Sequence, residues 1–276
     1  MKGRLRRSQV NAPLEAGVAP FVLFRVDGGV CYLTLNRGER YNALSRDMIA
    51  ALRSSLQRIA ADPALRCVVL GAEGRGFCAG HDLKELRAHP DLAWQQQLFA
   101  ECNALMVSLT TLPQPVIARV HGIATAAGCQ LVAMCDLAVA ADTARFALPG
   151  VNVGVFCTTP AVGVGRNIAR KRVVEMLLTG EAIDAATAHA WGLVNRVVPA
   201  AELDAAIAAF TRIILAKSAR VVAAGKQAFY RQIELGLQPA YELAGGAMAC
   251  NLLEPDAHEG IDAFVEKRAP KWGEVP

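Results

Sequence analysis

Two glycine-rich segments, each following a short apolar run, have the residue pattern with the clearest chemical use. Gly74-Arg-Gly-Phe-Cys-Ala-Gly-His-Asp-Leu-Lys-Glu follows Cys67-Val-Val-Leu, and Val120-His-Gly-Ile-Ala-Thr-Ala-Ala-Gly-Cys-Gln-Leu follows the run that begins at Val116. Glycine lets the backbone approach a ligand closely, and free N–H groups at a helix N-terminus favour an anion. Side by side, the segments predict a site in which each gives one N–H to a carbonyl oxygen. Each segment alone also fits an ordinary tight turn.

The elements that must position these segments alternate between strand and helix, which predicts an α/β core. A hairpin is predicted around Asp27-Gly28-Gly29, and Ser45 is predicted to cap a helix over residues 46–61. Thr158-Thr159-Pro160 indicates a capped helix start with proline at the first helical position. The other predicted elements are strands at 67–71, 116–120, 136–141 and 193–198, a helix over 94–109, a helix beginning near Ala126, and mostly helix from Asp184 onward.

Three regions are predicted along the chain. Residues 1–20 form a flexible basic N-terminal arm, residues 21–199 form the α/β core, and residues 200–276 form a C-terminal helical region for oligomerisation. The boundary before the third region is the turn Pro199-Ala-Ala-Glu-Leu.

The composition excludes several function classes. Hydrophobic residues make up 53% of the 276 residues and charged residues 20%, so the chain is not of the disordered type. The net charge of +4 is concentrated at the N-terminus, so no nucleic-acid partner is expected. The longest uncharged stretch, residues 146–165, contains glycines and prolines, so no membrane span is expected.

The cysteines and histidines predict no disulfide framework and no metal site. Eight cysteines without a C-x-x-C pair favour reduced, buried thiols, and hence a cytoplasmic enzyme. The five histidines show no metal-ligand spacing. A serine peptidase is a further alternative with less support, because it needs a nucleophilic serine and the two segments contain no candidate.

Several sequence blocks in order resemble the crotonase superfamily, the enoyl-CoA hydratase/isomerase proteins, over residues 21–272. Within it, Ala124-Thr-Ala-Ala-Gly-Cys-Gln and Pro149-Gly-Val-Asn-Val-Gly resemble the enoyl-CoA hydratase domain-containing protein 3 group. The other blocks are Leu35-Asn-Arg, Tyr41-Asn-Ala-Leu, Phe77-Cys-Ala-Gly-His-Asp-Leu-Lys-Glu, Pro115-Val-Ile-Ala, His121-Gly, Cys135-Asp-Leu-Ala-Val-Ala, Thr179-Gly-Glu-Ala-Ile, Gly192-Leu-Val and Phe264-Val-Glu-Lys-Arg.

The resemblance implies the crotonase (ClpP/crotonase-like) fold, a spiral of ββα repeats with a C-terminal helical region. It also implies binding of acyl-CoA in fatty acid metabolism, with no covalently bound cofactor, in a homotrimer or a dimer of trimers. The family stabilises an enolate with two backbone N–H groups, which fall here on His81 and Ala127. The His81 side chain need not take part, and an alternative is that it faces solvent. The CoA-binding positions implied by the family are Asn42, Ala43, Leu44, Ala79, Asp82, Leu83 and Gly128, with Arg40 and Lys84 either at CoA phosphates or as solvated surface charges.

Two catalytic glutamates of the family's hydratases are absent from this chain. Their positions fall on Gln130 and Gly150, and Thr158 stands where dienoyl isomerases have an aspartate. An amide cannot exchange protons near neutral pH, so we expect a weak or inactive enoyl-CoA hydratase, nominally a lyase. Two other functions remain open: a catalytically silent CoA-binding or regulatory protein, and an acyl-CoA hydrolase or decarboxylase that uses water or bicarbonate. Cys157 either acts as a nucleophile or only lines the pocket.

Overall fold

The computed structural model describes residues 19–273, so most of the predicted N-terminal arm lies outside the described residues. The described chain contains ten strands, eleven α-helices and three short 3₁₀ helices, at Gly38–Arg40, Pro149–Val153 and Ala200–Glu202. The strands are β1 (Val22–Asp27), β2 (Val30–Leu35), β3 (Cys67–Ala72), β4 (Gly76–Cys78), β5 (Val116–Val120), β6 (Ile123–Thr125), β7 (Leu137–Ala141), β8 (Arg145–Ala147), β9 (Ala182–Asp184) and β10 (Arg196–Val198). The helices are α1 (Arg46–Ala60), α2 (Leu83–Ala88), α3 (Leu92–Thr111), α4 (Ala127–Ala133), α5 (Thr158–Val164), α6 (Arg170–Thr179), α7 (Ala185–Trp191), α8 (Leu203–Leu215), α9 (Ala219–Gln232), α10 (Leu237–Leu252) and α11 (Pro255–Val265).

The strands form two sheets. The larger sheet has the order β1-β2-β3-β5-β7-β10, in which only the β1–β2 pair is antiparallel. The smaller sheet has the order β4-β6-β8-β9. Each of β3, β5 and β7 therefore leads into a short strand of the second sheet and then into a helical segment. This repeated strand–strand–helix path confirms the predicted spiral of ββα repeats.

Local signals in the sequence explain the elements that were predicted correctly. The Ser45 hydroxyl accepts a hydrogen bond from the Met48 N–H at 3.2 Å, which caps α1 as expected. Gly28 and Gly29 have φ values of 55° and 83°, as a two-residue hairpin turn requires. All six residues of β3 are buried, because both faces of a central parallel strand are covered.

Two expectations about the elements are wrong in detail. Helix α5 begins at Thr158 with Cys157 as its capping position, and no side chain there makes a capping hydrogen bond. Pro160 is therefore the third helical residue rather than the first. The strand expected at 193–198 is limited to β10, because Leu193 and Val194 belong to the turn after α7.

The C-terminal helices divide into two groups. Helix α8 packs on the larger sheet, where Leu203 and Ile207 join a buried cluster with Val69 and Val139. Helices α10 and α11 expose large apolar side chains, namely Leu237, Tyr241, Met248, Leu252, Ile261, Phe264 and Val265. A role of these residues in oligomerisation, and the three-region division of the chain, remain predictions. No helix in residues 19–273 has the length and apolar character needed to cross a bilayer.

Candidate active site

The two glycine-rich segments meet in the structure. A Cβ placed on Gly80 would lie 2.9 Å from the Ala126 Cβ and 3.1 Å from the Ala127 nitrogen. A Cβ placed on Gly128 would lie 2.0 Å from the Cys78 carbonyl oxygen. Contacts this close require glycine at both positions. The segment before His81 therefore lies directly against the start of α4.

The backbone around His81 is held on one side by the loop before α1. The Leu44 N–H donates to the Gly80 carbonyl at 2.7 Å, and Leu44 and His81 form an isolated parallel bridge. The Gly80 carbonyl and the His81 N–H belong to one trans peptide group and point in opposite directions, so the His81 N–H faces away from Leu44. The Asp82 carboxylate fixes the other side by accepting the N–H groups of Lys84 at 2.9 Å and Glu85 at 3.2 Å.

Ala127 is the first residue of α4, and its surroundings favour a free N–H. The N–H groups of a helix's first turn have no partner within the helix, and the preceding residue, Ala126, makes no side-chain capping bond. Ala126 has φ 50° and ψ −120°, a conformation that costs a non-glycine residue on the order of 1–3 kcal/mol. The Ala126 N–H donates to the Ala147 carbonyl at 2.9 Å, which helps to hold this strained entry into the helix.

The His81 side chain is half-buried rather than directed into solvent. Its Nδ1 lies 3.3 Å from the Leu44 carbonyl oxygen, and its ring packs edge-on against Phe99 at 5.1 Å between centroids. Because a carbonyl only accepts, Nδ1 is the nitrogen assigned the proton. The unprotonated Nε2 is buried with no hydrogen-bond partner in the described chain. Burial lowers the pKa of this imidazole below its ordinary value, so His81 is neutral near pH 7.

The Asn42 side chain lies inside the protein, where it organises the loop. It is 0% exposed, accepts the Arg37 N–H at 2.8 Å, and donates to the carbonyls of Glu73 and Gly76 at 2.8 and 3.0 Å. Its φ of 52° is a left-handed value that asparagine tolerates better than most residues. In this structure the Asn42 amide joins the loop before α1 to the loop that contains Gly74.

The other predicted CoA-binding residues differ in exposure. Leu44 and Gly128 are buried, and Ala43 and Asp82 are half-buried. The exposed ones, which a ligand in solvent can reach directly, are Arg40, Ala79, Leu83 and Lys84. The CoA contacts of all these residues remain predictions.

Gln130 lies on the buried face of α4, next to α5. It is 4% exposed, and its Oε1 has no hydrogen-bond partner among the described residues. A Cβ placed on Gly163 of α5 would lie 3.4 Å from the Gln130 Cγ, which shows how closely the two helices pack. Such a buried, unpaired acceptor costs roughly 1–3 kcal/mol unless a ligand or water donates to it.

Gly150 has no room for a side chain. A Cβ at this position would lie 2.3 Å from the Val155 carbonyl oxygen and 2.8 Å from the Cys157 sulfur. The Val155 N–H also donates to the Gly150 carbonyl at 2.9 Å, which closes the segment on itself. The space that a side chain at this position needs is filled by the chain's own backbone.

The cysteines near this segment are poor nucleophiles. Cys157 is buried, and burial raises the pKa of its thiol, although the Gly150 backbone partly opposes this. All eight cysteines are free. The described residues contain no cluster of three or more His, Cys, Asp or Glu side chains that could hold a metal ion.

Sequence reasoning did not find three parts of this site. Phe99 lies on α3, and the Val155 carbonyl and the Leu44 carbonyl are backbone groups. Their roles depend on contacts between distant segments, and no spacing pattern in the sequence indicates them. The structure brings the backbone before His81 against Ala127, packs Gln130 against Gly163 of α5, and places Gly150 against Cys157, which precedes α5. That these four residues form one catalytic site remains a prediction.

Comparison with known proteins identifies relatives over nearly the whole chain. A model of the family described as "Enoyl-CoA hydratase/isomerase" matches residues 25–275. The mitochondrial enoyl-CoA hydratase domain-containing protein 3 of Xenopus laevis is 45% identical over 95% of this chain and 90% of its own length. This similarity confirms the predicted resemblance to that group.

Two crystal structures show the same fold. One is an enoyl-CoA hydratase of Mycobacterium smegmatis, which is 55% identical, with a TM-score of 0.91 over 92% of this chain and 99% of that one. The other is human enoyl-CoA hydratase domain-containing protein 3, which is 43% identical, with a TM-score of 0.89 over 91% of this chain and 100% of that one.

The predicted cytoplasmic location is wrong by this comparison. Relatives from Xenopus laevis, rat and human are named as mitochondrial proteins. Reduced cysteines indicate a reducing compartment, but they do not distinguish the cytoplasm from other compartments in which thiols stay reduced.

Proposed function

The chain belongs to the enoyl-CoA hydratase/isomerase family, and we propose that it is an enzyme of that family that binds acyl-CoA thioesters and stabilises the enolate formed from them. The observation that carries this proposal is the contact between the Gly80–His81 backbone and Ala127. This contact brings two main-chain segments together. Each segment has an N–H group that is not used in the hydrogen bonds of a strand pair or a helix.

In this proposal the His81 and Ala127 N–H groups donate to the thioester oxygen. Removal of a substituent from the α-carbon moves an electron pair into the C–C bond and charge onto that oxygen. Two fixed donors stabilise the charge more than they stabilise the neutral carbonyl, and one such donor is typically worth about 10²–10³ in rate. The N-terminus of α4 adds to this stabilisation through its helix dipole.

We propose that hydration of an α,β double bond is weak or absent. Hydration needs a base for the water and an acid for the α-carbon, and each such group typically contributes roughly 10²–10⁴ in rate. Gln130 has an amide in one of these positions, and Gly150 has no side chain in the other. Neither residue exchanges protons near neutral pH.

The chemistry left to this site uses water or an added ion. In acyl-CoA decarboxylation, the bond from the α-carbon to the carboxylate breaks, CO₂ leaves, the electron pair forms the enolate, and solvent protonates the α-carbon. In hydrolysis, water attacks the thioester carbon and CoA leaves. Bicarbonate as a base near Gly150 requires movement of residues 151–157, because the Val155 carbonyl fills that space.

A second candidate function is a catalytically silent CoA-binding or regulatory protein. The amide of Gln130 and the blocked position at Gly150 favour it, because both remove proton transfer while the Gly80–Ala127 contact stays intact. Binding of acyl-CoAs without conversion of any of them supports this candidate.

For the assembly we propose a homotrimer or a dimer of trimers, as in the family. The exposed apolar side chains of α10 and α11 support association of subunits, since large contiguous apolar patches are uncommon on monomers. Light scattering on the purified chain measures the mass directly, and a monomer at micromolar concentration would rule out this assembly.

The test of function combines calorimetry and kinetics with crotonyl-CoA. We expect binding, with hydration at least about 10²-fold slower than in a family hydratase that has both glutamates. Gly80→Ala inserts a Cβ against Ala126, so it should weaken binding. Gly192→Ala is the matched control, because Gly192 has a similar φ of +92° but its nearest new contact is 3.5 Å away. Absence of binding would refute the acyl-CoA proposal, and hydration as fast as in that hydratase would refute the weak-hydratase proposal.

A further inference from the structure

Tyr41 follows the 3₁₀ helix Gly38–Arg40 in a backbone conformation that a bulky residue rarely adopts. Its φ of 51° and ψ of 33° are left-handed, and Asn42 beside it also has a positive φ, of 52°. A helix end in this conformation usually carries glycine, which has no side chain to meet the backbone. Asparagine tolerates the conformation, whereas a bulky residue in it is an outlier. Outliers of this kind cluster at functional sites.

The surrounding chain holds Tyr41 next to the candidate active site. The Tyr41 N–H donates to the Gly38 carbonyl at 3.2 Å, and the Tyr41 carbonyl accepts the Ala79 N–H at 2.9 Å. A Cβ placed on Gly76 would lie 2.8 Å from the Tyr41 Cδ1, so the ring lies against this glycine. Ala79 is two residues before His81, a separation of at most about 7 Å along the chain. Tyr41 is therefore close to the proposed position of the thioester.

The Tyr41 side chain makes few contacts that would explain an aromatic residue here. It is 44% exposed. Within residues 19–273, its hydroxyl has no hydrogen-bond partner and its ring has no aromatic or cationic partner. The contact with Gly76 involves the ring edge at Cδ1, so much of the ring remains accessible. An exposed aromatic ring that the backbone holds in place is suited to stacking with another planar group.

The charged residues around Tyr41 favour a neutral planar group rather than a phosphate at this position. The 3₁₀ helix before Tyr41 crosses the segment that leads to β4, where a Cβ placed on Gly38 would lie 2.8 Å from the Gly74 Cα. The charged residues of these two segments are Glu39, Arg40, Glu73 and Arg75. Their formal charges cancel, so the two segments do not create the positive potential that attracts a phosphate.

We propose that the Tyr41 ring stacks on the adenine of CoA. This inference rests on the proposed acyl-CoA function and assigns a residue to the nucleotide end of that ligand. Adenine is planar and neutral, and stacking on an aromatic side chain is a common way of binding a base. The pantetheine arm of CoA is flexible, so the nucleotide can reach a residue this close to His81. The backbone at Tyr41 fixes the ring before the ligand binds, which lowers the ordering cost of binding.

The test compares butyryl-CoA with butyryl-phosphopantetheine, which has the same thioester and arm but lacks the adenine nucleotide. Tyr41→Gly removes the ring and keeps the left-handed backbone, which glycine adopts without strain. In calorimetric titrations of the full chain, this variant should bind butyryl-CoA at least about fivefold more weakly, as expected for the loss of one stacked base. Its affinity for butyryl-phosphopantetheine should be unchanged. Tyr41→Phe keeps the ring and should match the wild type with both ligands. Phe229→Ala removes a similarly exposed ring from α9 and should change neither affinity.

Two calorimetric results would overturn the role of Tyr41. One is an unchanged affinity of Tyr41→Gly for butyryl-CoA, and the other is an equal loss of affinity for butyryl-phosphopantetheine, which would indicate a disturbed loop. NMR gives a second measurement that needs no binding of the shorter ligand. The ring C–H protons of bound adenine should shift upfield through the ring current of Tyr41, in the wild type and Tyr41→Phe but not in Tyr41→Gly. Bound butyryl-CoA without this shift in the wild type would refute the role of Tyr41 alone, whereas no binding of butyryl-CoA to the wild type would refute the proposed function and this inference with it.

Discussion

Substitution of Gly150 by alanine tests whether this chain has space for a side chain at the second glutamate position of family hydratases. The added Cβ would lie 2.3 Å from the Val155 carbonyl oxygen and 2.8 Å from the Cys157 sulfur. Gly150 does not have a left-handed φ, so alanine would be strained by these contacts and not by its own backbone conformation.

The expected loss of stability follows from the overlap. Inserting an atom into a well-packed site typically costs about 1–3 kcal/mol, and each kcal/mol lowers the Tm of a domain of about 150–250 residues by about 2–4 °C. We therefore expect the Tm of Gly150→Ala to fall by about 2–12 °C. Differential scanning calorimetry measures this shift, and urea unfolding gives the corresponding free energy.

Gly225→Ala is the matched control. Gly225 lies within α9 and has no atom within 4 Å of an added Cβ. Alanine there should raise stability by up to about 1 kcal/mol through helix propensity. A Gly150→Ala protein that melts at the wild-type temperature would refute the account of a filled position.

Three further predictions concern Asn42, His81 and Gln130. Asn42→Ala removes three hydrogen bonds of a buried side chain. It should lower the free energy of unfolding by about 2–4 kcal/mol in urea titrations, and a loss below about 1 kcal/mol would contradict its role in the loop. Because burial lowers the pKa of His81, the folded state binds fewer protons than the unfolded one. Stability should therefore fall as the pH drops below about 6.5, through the unfolded pKa toward the lower folded pKa. His81→Gln should reduce this slope between pH 7 and 5, and an unchanged slope would count against the assignment. Gln130→Glu places an unpartnered carboxyl at a buried site, so the pKa of this carboxyl should rise. The variant should therefore lose stability as the pH increases above about 4.3, the ordinary pKa of glutamate. Its hydration of crotonyl-CoA should stay slow. A fast hydratase from this single change would contradict the need for a second carboxylate.

The parts of the fold that local chemistry determines were predictable from the sequence. Ser45 and the apolar spacing after it indicate α1, and Asp27-Gly28-Gly29 indicates the hairpin. The family resemblance implies a second strand in each repeat, but local patterns did not locate β4, β6 and β8, because these strands have three residues each and are too short to show a period. Their pairing depends on contacts between segments far apart in the chain.

The candidate site shows the same division. The family resemblance places the two glutamate positions at residues 130 and 150, and the sequence shows that neither residue there is a carboxylate. It does not indicate that the Val155 carbonyl fills the space beside Gly150, nor that the Asn42 amide reaches Glu73 and Gly76. These contacts form between segments that are far apart in the sequence, so the local pattern of one segment does not predict them.

A crystal structure with bound butyryl-CoA most directly tests the claim that backbone N–H groups hold the thioester in a site without the two glutamates. We expect the thioester oxygen at about 2.7–3.1 Å from the nitrogens of both His81 and Ala127. We expect no Asp or Glu carboxylate beside the α- or β-carbon, where it could transfer a proton. A thioester oxygen bonded elsewhere, or a carboxylate from another segment beside those carbons, would contradict the account.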